Sequence, residues 1–301
     1  MSTEAPAGEA RRPLTVLGLG GMGGGMAMRL CESGFPLTVW NRTAAKAAPL
    51  REAGATVAAS VAEAVEGGST VLLSLSDEAA VEDVLFTQAV PVLSEGATII
   101  DTSTVSPAYA REAALRLAKA GLRRVEACVA GNPIQARAGE MRVLTAGDKS
   151  DVDAVADVLS TIGREVSYLG PAGNASVLKL VWNLLLGAQV AALAEAVSYG
   201  VAAGLDRDLL LRAVAGSGFS SRVLSFRADL MREKRYTPAA FRATLMHKDL
   251  RLGIDDAAGS DLRMPVIEAI AARFADMIEA GDADLDAAAI LELQQRDRGG
   301  H

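Results

Sequence analysis

A lysine and an asparagine stand four residues apart in the longest uninterrupted helical pattern of the chain, residues 170–204. After Gly173 this segment contains no proline and only two charged residues, Lys179 and Glu195. Positions four apart share one face of an α-helix, so the ammonium of Lys179 and the carboxamide of Asn183 point the same way. In apolar surroundings such an ammonium stabilises negative charge that develops on an oxygen and donates a proton to it. In the structural alternative, the lysine extends to water and the asparagine bonds a neighbouring element.

A glycine-rich turn near the N-terminus is the second feature that predicts chemistry. The apolar run Leu14–Leu17 precedes it, and apolar residues recur at helical spacing after it, which gives the order strand, turn, helix. In such a turn the first glycine permits the bend, the second lets the backbone approach a pyrophosphate, and the third lets the helix pack against the strand. The N–H groups at the helix start then face the phosphates, unless the turn serves only to join strand and helix. The residues predicted to bind the cofactor here are Gly18, Leu19, Gly20, Gly21, Met22 and Gly23.

The end of the second predicted strand decides between the two nicotinamide dinucleotides. An Asp or Glu at this place bonds the ribose 2′-hydroxyl of NAD and repels a 2′-phosphate. This chain has Asn41, Arg42 and Thr43 there, which offer a guanidinium and two neutral hydrogen-bonding side chains. The sequence therefore predicts NADP(H) rather than NAD(H), the alternative being that Arg42 is a solvated surface arginine.

Strands and helices alternate through the first half of the chain, which predicts an α/β domain with a doubly wound, mostly parallel sheet. Ligands of such sheets bind in a cleft beyond the carboxyl ends of the strands. Within the first segment that follows a strand, Leu75 and Ser76 are predicted to contact the cofactor, although Ser76 and Asp77 also suit a helix cap. The three segments that should line the cleft are residues 75–77, 101–104 and 128–133.

The second half of the chain shows only helical patterns. A central helix of about 30 residues, apolar on nearly every side and hence expected to be buried, opens this half. Further on, Lys248 lies between Leu245 and Leu252, at the edge of a buried stripe. The predicted helices after the central one are residues 205–215, 222–233, 239–258, 264–280 and 285–295. The predicted division is a disordered lead-in at 1–12, an NADP-binding domain at 13–170, a helical substrate and dimerisation domain at 171–295, and a tail at 296–301.

The composition excludes several classes of function. The 301 residues carry a net charge of -7 with a pI near 5.1, whereas nucleic acid or an anionic membrane would require a basic patch. The two cysteines, Cys31 and Cys128, lie far apart in apolar segments, so we expect free thiols in a reducing cytoplasm. With only two histidines, no metal site built on His or Cys is expected. The first residues contain no apolar signal segment, which favours a soluble cytoplasmic protein.

Six motifs follow one another along the chain: GLGGMGGGMA at 18–27, WNRT at 40–43, DTSTVSP at 101–107, EACVAGN at 126–132, GPAGNASVLKLVWN at 170–183 and KDLRLG at 248–253. Together they resemble the β-hydroxyacid dehydrogenase family, which includes 3-hydroxyisobutyrate dehydrogenases and tartronate semialdehyde reductases. The residues of the second and sixth motifs are most similar to those of the glyoxylate/succinic semialdehyde reductase branch, which prefers NADPH. The resemblance, from Leu14 to about Leu293, implies a Rossmann domain and an all-α C-terminal domain joined by a long central helix. It also implies a homodimer formed through the helical domain.

The same resemblance implies roles for single residues. Lys179 falls on the family's catalytic lysine and Asn183 on its partner asparagine, both also in contact with substrate. Ser103 and Thr104 fall on the segment that contacts substrate and cofactor. Lys248 falls on a residue that closes over the nicotinamide side of the cofactor.

One departure from the family concerns the substrate carboxylate. Family members commonly carry Pro-Val-Ser-Gly where this chain has Cys-Val-Ala-Gly at 128–131, and that serine helps to anchor the carboxylate. Ala130 lacks the hydroxyl, while Gly131 and Asn132 offer backbone N–H groups and a carboxamide for an anion. A small aldehyde-acid therefore stays the expected substrate, with a less polar or larger carbonyl compound as the alternative.

The sequence thus predicts an NADPH-dependent oxidoreductase that transfers hydride to the carbonyl of a small aldehyde-acid such as glyoxylate or succinic semialdehyde, with Lys179 as general acid. Imine reductases are the first alternative, since they are similar in the Rossmann half but typically carry Asp or Tyr at the position of Lys179. The second is a dinucleotide-binding scaffold without turnover. The presence of Lys179, Asn183 and Lys248 in one chain favours carbonyl reduction.

Overall fold

The computed structural model of the chain describes residues 11–296. The predicted lead-in at 1–12 therefore lies outside the described residues except for Arg11 and Arg12, and the predicted tail at 296–301 except for Arg296. The chain forms two compact units, Met1–Ser176 and Val177–His301. Their boundary falls inside one long helix, whereas the boundary predicted between 170 and 171 lies in the turn before that helix.

The first unit is built on one sheet of eight strands. They are β1 (Leu14–Leu17), β2 (Leu37–Trp40), β3 (Thr56–Val57), β4 (Thr70–Leu73), β5 (Thr98–Asp101), β6 (Arg123–Ala130), β7 (Met141–Gly147) and β8 (Gly163–Tyr168). Their order in the sheet is β3-β2-β1-β4-β5-β6-β7-β8. All neighbours are parallel except β6 and β7, which confirms the doubly wound, mostly parallel sheet. Every residue of β1, β4 and β5 is buried, as expected of parallel strands covered on both faces.

The carboxyl ends of β1, β2, β4 and β5 are in register, and the longer β6 continues beyond them. Leu17 pairs with both Trp40 and Leu73, Leu73 pairs with Asp101, and Asp101 pairs with Glu126. The segments that follow β1, β2, β4 and β5 therefore leave the sheet at one edge, where ligands of such sheets bind.

Eight α-helices accompany the sheet. They are α1 (Gly21–Glu32), α2 (Ala48–Glu52), α3 (Val61–Val65), α4 (Glu78–Val81), α5 (Pro107–Lys119), α6 (Pro133–Ala138), α7 (Lys149–Ala154) and α8 (Ala156–Ile162). The helix expected at 151–162 is broken at Val155, whose φ of -115° and ψ of 17° are not helical. Helix α6 was not predicted, although Asn132 caps it and Pro133 occupies its first position.

The described part of the second unit is helical, which confirms the all-α C-terminal domain. Its helices are α9 (Asn174–Ala202), α10 (Arg207–Ala215), α11 (Arg222–Glu233), α12 (Ala243–Ala258), α13 (Pro265–Met277) and α14 (Ile290–Arg296), of which α9 begins with three residues of the first unit. The core is formed by apolar residues of all these helices, with Phe274, Met246 and Leu291 fully buried. A single β-bridge joins Arg242 to Asp286.

The exposure of α9 differs from the prediction. Val177 and Val181 are each 42% exposed, Leu185 is 57% exposed and Tyr199 is 77% exposed. By length and composition α9 is apolar enough to cross a membrane, and 39% of its most apolar window is buried inside the chain. The expectation of a helix buried on nearly every side is therefore wrong for a single chain, because no element within the described residues 11–296 covers one of its faces.

Candidate functional site

The glycine turn between β1 and α1 has no room for a side chain at two of its glycines. Gly18 has a φ of +98°, and a Cβ there would lie 2.3 Å from the carbonyl oxygen of Ser74. A Cβ on Gly23 would lie 2.1 Å from the carbonyl oxygen of Gly18. A Cβ on Gly20, in contrast, would meet nothing within 4 Å. The two crowded glycines shape the turn, whereas Gly20 borders open space.

The start of α1 offers backbone donors to an anion. Gly20 is the N-cap residue, no side chain caps the first turn, and that turn contains no acidic residue. Unpaired N–H groups and the helix dipole together favour a negative charge at this end. The open side of Gly20 and these donors fit the pyrophosphate of a dinucleotide, which the turn would bind with backbone groups.

Asn41 holds the glycine turn against the end of β2. Its Oδ1 accepts a hydrogen bond from Leu19 N–H at 2.8 Å, and its Nδ2 donates to the carbonyl oxygen of Thr43 at 3.0 Å. These two bonds let Asn41 shape the glycine turn. The side chain keeps a second Nδ2 hydrogen and a second Oδ1 lone pair, so the predicted contact of Asn41 with the cofactor stays a prediction. Arg42 and Thr43 are exposed at the same place.

One hydroxyl ties the segments after β4 and β5 together. Ser103 is 3% exposed, and its Oγ accepts a hydrogen bond from Leu75 N–H at 3.1 Å. The N–H of Ser103 donates to Asp101 Oδ1 at 3.0 Å. Thr104 is half-buried and Ser76 is exposed. The structure thus places Ser103 as a link between two loops, while Thr104 and Ser76 are the more open side chains.

A capping box closes the turn after β6. The N–H of Asn132 donates to Gln135 Oε1 at 3.1 Å, and Asn132 Oδ1 accepts from Gln135 N–H at 3.0 Å. The backbone N–H of Asn132 that was expected to bind an anion is therefore already used, which leaves the Nδ2 amino group of this residue. Gly131 is exposed and Ala130 is half-buried beside it.

In the second unit, Lys179 and Asn183 lie one turn apart on α9. Lys179 is half-buried and Asn183 is 4% exposed. The Nδ2 of Asn183 donates to Asp249 Oδ2, on α12, at 2.5 Å. Asp249 is 2% exposed, and its Oδ1 lies 3.0 Å from Lys248 Nζ, which makes the two an ion pair. The Asn183 amide is therefore fixed by a buried carboxylate that also pairs with an ammonium.

Two glycines let α9 and α12 approach closely at this hydrogen bond. A Cβ on either Gly187 or Gly253 would lie 2.9 Å from a leucine methyl group of the facing helix. Gly187 follows Asn183 by four residues, and Gly253 follows Asp249 by four. The sequence singles out the step from Lys248 to Asp249, but such a step is most often a surface pair, and it predicts no role for Asp249 in the site. The repeated spacing of a polar residue and a glycine is the signal that could have assigned one.

The histidine next to Lys248 carries no positive charge at neutral pH. Burial of His247, together with the nearby charge of Arg251, lowers the pKa of this histidine from its ordinary value of 6.5. His247 is therefore neutral at pH 7 and would supply no proton there. The positive charges on this part of α12 are those of Lys248 and Arg251.

Comparison with known proteins assigns both halves of the chain. Residues 13–170 match the family model described as the NAD binding domain of 6-phosphogluconate dehydrogenase. Residues 173–294 match the one described as NAD-binding of NADP-dependent 3-hydroxyisobutyrate dehydrogenase. The chain is 32% identical over 278 residues to glyoxylate/succinic semialdehyde reductase 1 of Arabidopsis thaliana, an alignment that covers 92% of this chain and 96% of that protein. The chain belongs to the β-hydroxyacid dehydrogenase family.

Two further relatives of this β-hydroxyacid dehydrogenase show how widely the family's substrates vary. L-threonate dehydrogenase of Cupriavidus necator is 31% identical over 285 residues, which cover 94% of this chain and 96% of that protein. The crystal structure of a 3-hydroxyisobutyrate dehydrogenase from Salmonella typhimurium matches with a TM-score of 0.87 at 26% identity, covering 94% of this chain and 99% of that one. As a family member, the protein is an NAD(P)-dependent oxidoreductase that acts on a hydroxyacid or its carbonyl counterpart.

Proposed function

We propose that the protein reduces the carbonyl group of a small aldehyde-acid, of the glyoxylate or succinic semialdehyde type, with NADPH as hydride donor. The reaction is reversible toward the hydroxyacid. The observation that carries the proposal is that a buried carboxylate, Asp249, fixes the amide of Asn183 one turn from Lys179. The similarity to glyoxylate/succinic semialdehyde reductase 1 supports the substrate class.

The proposed chemistry divides the work between cofactor and side chains. NADPH, when bound, supplies the hydride. Negative charge then builds on the carbonyl oxygen, and the Lys179 ammonium would stabilise that charge and transfer a proton to it. Asn183 uses one amide hydrogen on Asp249, and its second amide hydrogen would orient the carbonyl oxygen. Asp249 thereby prevents rotation of the amide.

The preference for NADPH is proposed from the residues that follow β2. Arg42 and Thr43 are exposed there, and the segment 41–43 contains no carboxylate that would repel a 2′-phosphate. A hydrogen bond between a guanidinium and a phosphate contributes about 1.5–3 kcal/mol, or about tenfold to a hundredfold in affinity. We therefore expect the kcat/KM for NADPH to exceed that for NADH by at least about tenfold.

The test of the proposed function is a screen of cofactor oxidation with NADPH and with NADH. The panel contains small aldehyde-acids, neutral aldehydes, ketones and cyclic imines. We expect turnover of aldehyde-acids with NADPH. A preference for cyclic imines would instead make the protein an imine reductase, no turnover of any compound would favour a non-catalytic scaffold, and a preference for NADH would contradict the role of Arg42.

Gly20→Ala should separate cofactor binding from folding. The φ of -64° and ψ of -174° at Gly20 suit any residue, and the added methyl group meets no atom of the described residues within 4 Å. Thermal stability should therefore stay at the wild-type value. The Kd for NADPH should rise by about tenfold or more, because the methyl group enters the space of the pyrophosphate. Differential scanning fluorimetry and fluorescence titration measure the two quantities.

Gly23→Ala is the matched control for that variant. Its Cβ would lie 2.1 Å from the carbonyl oxygen of Gly18, so this variant should lose thermal stability as well as NADPH affinity. Unchanged NADPH affinity in Gly20→Ala would contradict the placement of the pyrophosphate.

We also propose that the protein is a cytoplasmic homodimer in which a second copy covers the exposed face of α9. Gln189 and Glu195 are exposed on this helix and interrupt its apolar surface, at depths where a hydrocarbon environment would penalise them. A protein surface suits such a mixed face better than lipid. Sedimentation equilibrium should give twice the chain mass of 31.1 kDa, and an active monomer would contradict the dimer.

A further inference from the structure

A buried carboxylate of the first unit accepts hydrogen bonds from the first turn of α9. Glu126, in β6, is 1% exposed. Its Oε2 accepts a hydrogen bond from Gly173 N–H at 2.6 Å, and its Oε1 accepts from Ser176 N–H at 2.5 Å and from Ser176 Oγ at 2.6 Å. Two of these three donors are backbone groups at the start of a long helix, where a negative charge is favoured.

A buried ion pair lies beside Glu126. Arg124 Nη2 donates to Asp101 Oδ2 at 2.8 Å, and Arg124 Nη1 donates to the carbonyl oxygen of Ala110 at 3.2 Å. Burial opposes the charge on Arg124, but Asp101 and Glu126 outweigh this effect and raise the pKa of the guanidinium. The three charged side chains therefore form one cluster, which we call the β5–β6 charge cluster.

The β5–β6 charge cluster continues to the loops at the sheet edge. Asp101 Oδ1 accepts from Ser103 N–H at 3.0 Å, and Ser103 Oγ accepts from Leu75 N–H at 3.1 Å. Hydrogen bonds and one ion pair thus link the segment after β4 to Arg124. Glu126, whose charge also acts on Arg124, is hydrogen-bonded to the first turn of α9. All of these residues lie in the first unit.

Packing alone does not account for the cluster. Each buried ion loses hydration that its partner only partly restores, and apolar side chains of the same volume are often equally stable. The cluster holds two negative charges and one positive charge, so the backbone donors of α9 compensate the second carboxylate. The cluster instead fixes the orientation of the first turn of α9, because hydrogen bonds fix the rotation and axial position of the helical turn that donates them.

We propose that Glu126 is a positioning residue for Lys179. Lys179 follows Ser176 by three residues in the same helix, so the bonds that hold Ser176 also set where the lysine stem leaves α9. The inference rests on the proposed role of Lys179 as proton donor. Misplacement of a catalytic group by about 1 Å costs about a hundredfold in rate, so a modest shift of this turn should be measurable.

Glu126→Gln tests this role. A carboxamide has one oxygen, so it cannot accept from both Gly173 and Ser176 as the carboxylate does. We expect kcat for carbonyl reduction by the full-length enzyme to fall by about tenfold or more, while the KM for NADPH stays within about twofold. If the glutamine variant does not fold, Glu126→Asp carries the same readouts, because it keeps the charge but shortens the reach.

Two control variants separate positioning from a general loss of stability. Glu292→Gln neutralises a partly buried carboxylate that accepts hydrogen bonds from Arg207 and Tyr236 at 2.5 Å and 2.7 Å, and it should leave kcat within about twofold. Ser176→Ala removes one of the three hydrogen bonds that Glu126 accepts from Gly173 and Ser176, so its kcat should lie between wild type and Glu126→Gln. Urea unfolding of every variant provides the stability for comparison.

The outcomes distinguish this inference from the proposed function. A kcat of Glu126→Gln within about threefold of wild type, or a loss no larger than that of Glu292→Gln at equal stability, would overturn the positioning role. Full activity of Lys179→Met would instead overturn the proton donor on which it rests. An inactive Lys179→Met with a fully active Glu126→Gln would overturn the positioning role alone.

Discussion

Lys179→Met is expected to lower kcat for carbonyl reduction by about a hundredfold or more, which is the usual contribution of a positioned general acid. Methionine keeps an unbranched apolar stem, so the face of α9 retains its packing while the charge and the proton are lost. Asn183 and Asp249 keep their hydrogen bond in this variant, and the effect therefore belongs to the ammonium. Steady-state kinetics at saturating NADPH measure it.

Cofactor binding and a second lysine provide the controls. The glycine turn lies in the first unit, so the Kd of Lys179→Met for NADPH should stay within about twofold of wild type. Lys149→Met removes an exposed lysine that pairs with Asp153 and should leave kcat unchanged. If Lys179→Met kept kcat within about threefold of wild type, another group would have to donate the proton.

Asp286→Ala is expected to lower the free energy of unfolding by about 3–5 kcal/mol. Asp286 is 0% exposed and pairs with the buried guanidinium of Arg227. It also accepts hydrogen bonds from the N–H groups of Ala240 at 2.9 Å, Phe241 at 3.0 Å and Ala288 at 3.0 Å. Alanine would leave one buried charge and three backbone donors without this partner, and each such loss is costly.

Urea unfolding, with the slope compared between variants, measures this effect. Asp284→Ala is the matched control, since Asp284 stands two residues away and its carboxylate, 85% exposed, pairs with Arg242 at the surface. Its loss should cost no more than about 1 kcal/mol. Equal stabilities of the two variants would show that the buried pair contributes no more than a surface pair.

The elements that depend on local periodicity could be predicted from the sequence. Helix α11 begins and ends at the predicted residues, 222 and 233, and the glycine turn stands between the predicted strand and helix. The short elements could not be predicted in this way. β3 has two residues and exists because it pairs with β2, and α6 has six residues and depends on the Asn132–Gln135 capping box.

The candidate site could be predicted as far as helical spacing determines a shared face. Spacing places Lys179 and Asn183 on one side of α9, but it does not reveal that Asn183 bonds Asp249, which stands 66 positions later. Partners on another element depend on how the helices pack. The exposure of one face of α9 could not be predicted for a similar reason. An apolar helix surface has the same sequence pattern whether its own chain covers it or not.

Gly187 and Gly253 restrict how this enzyme can be re-engineered. Even the smallest side chain at either position meets a leucine of the facing helix, and wider spacing of α9 and α12 would pull the Asn183–Asp249 contact apart. Substitution of either glycine should therefore abolish the activity without changing the substrate specificity. Mutant libraries that seek new substrates should therefore hold both codons invariant.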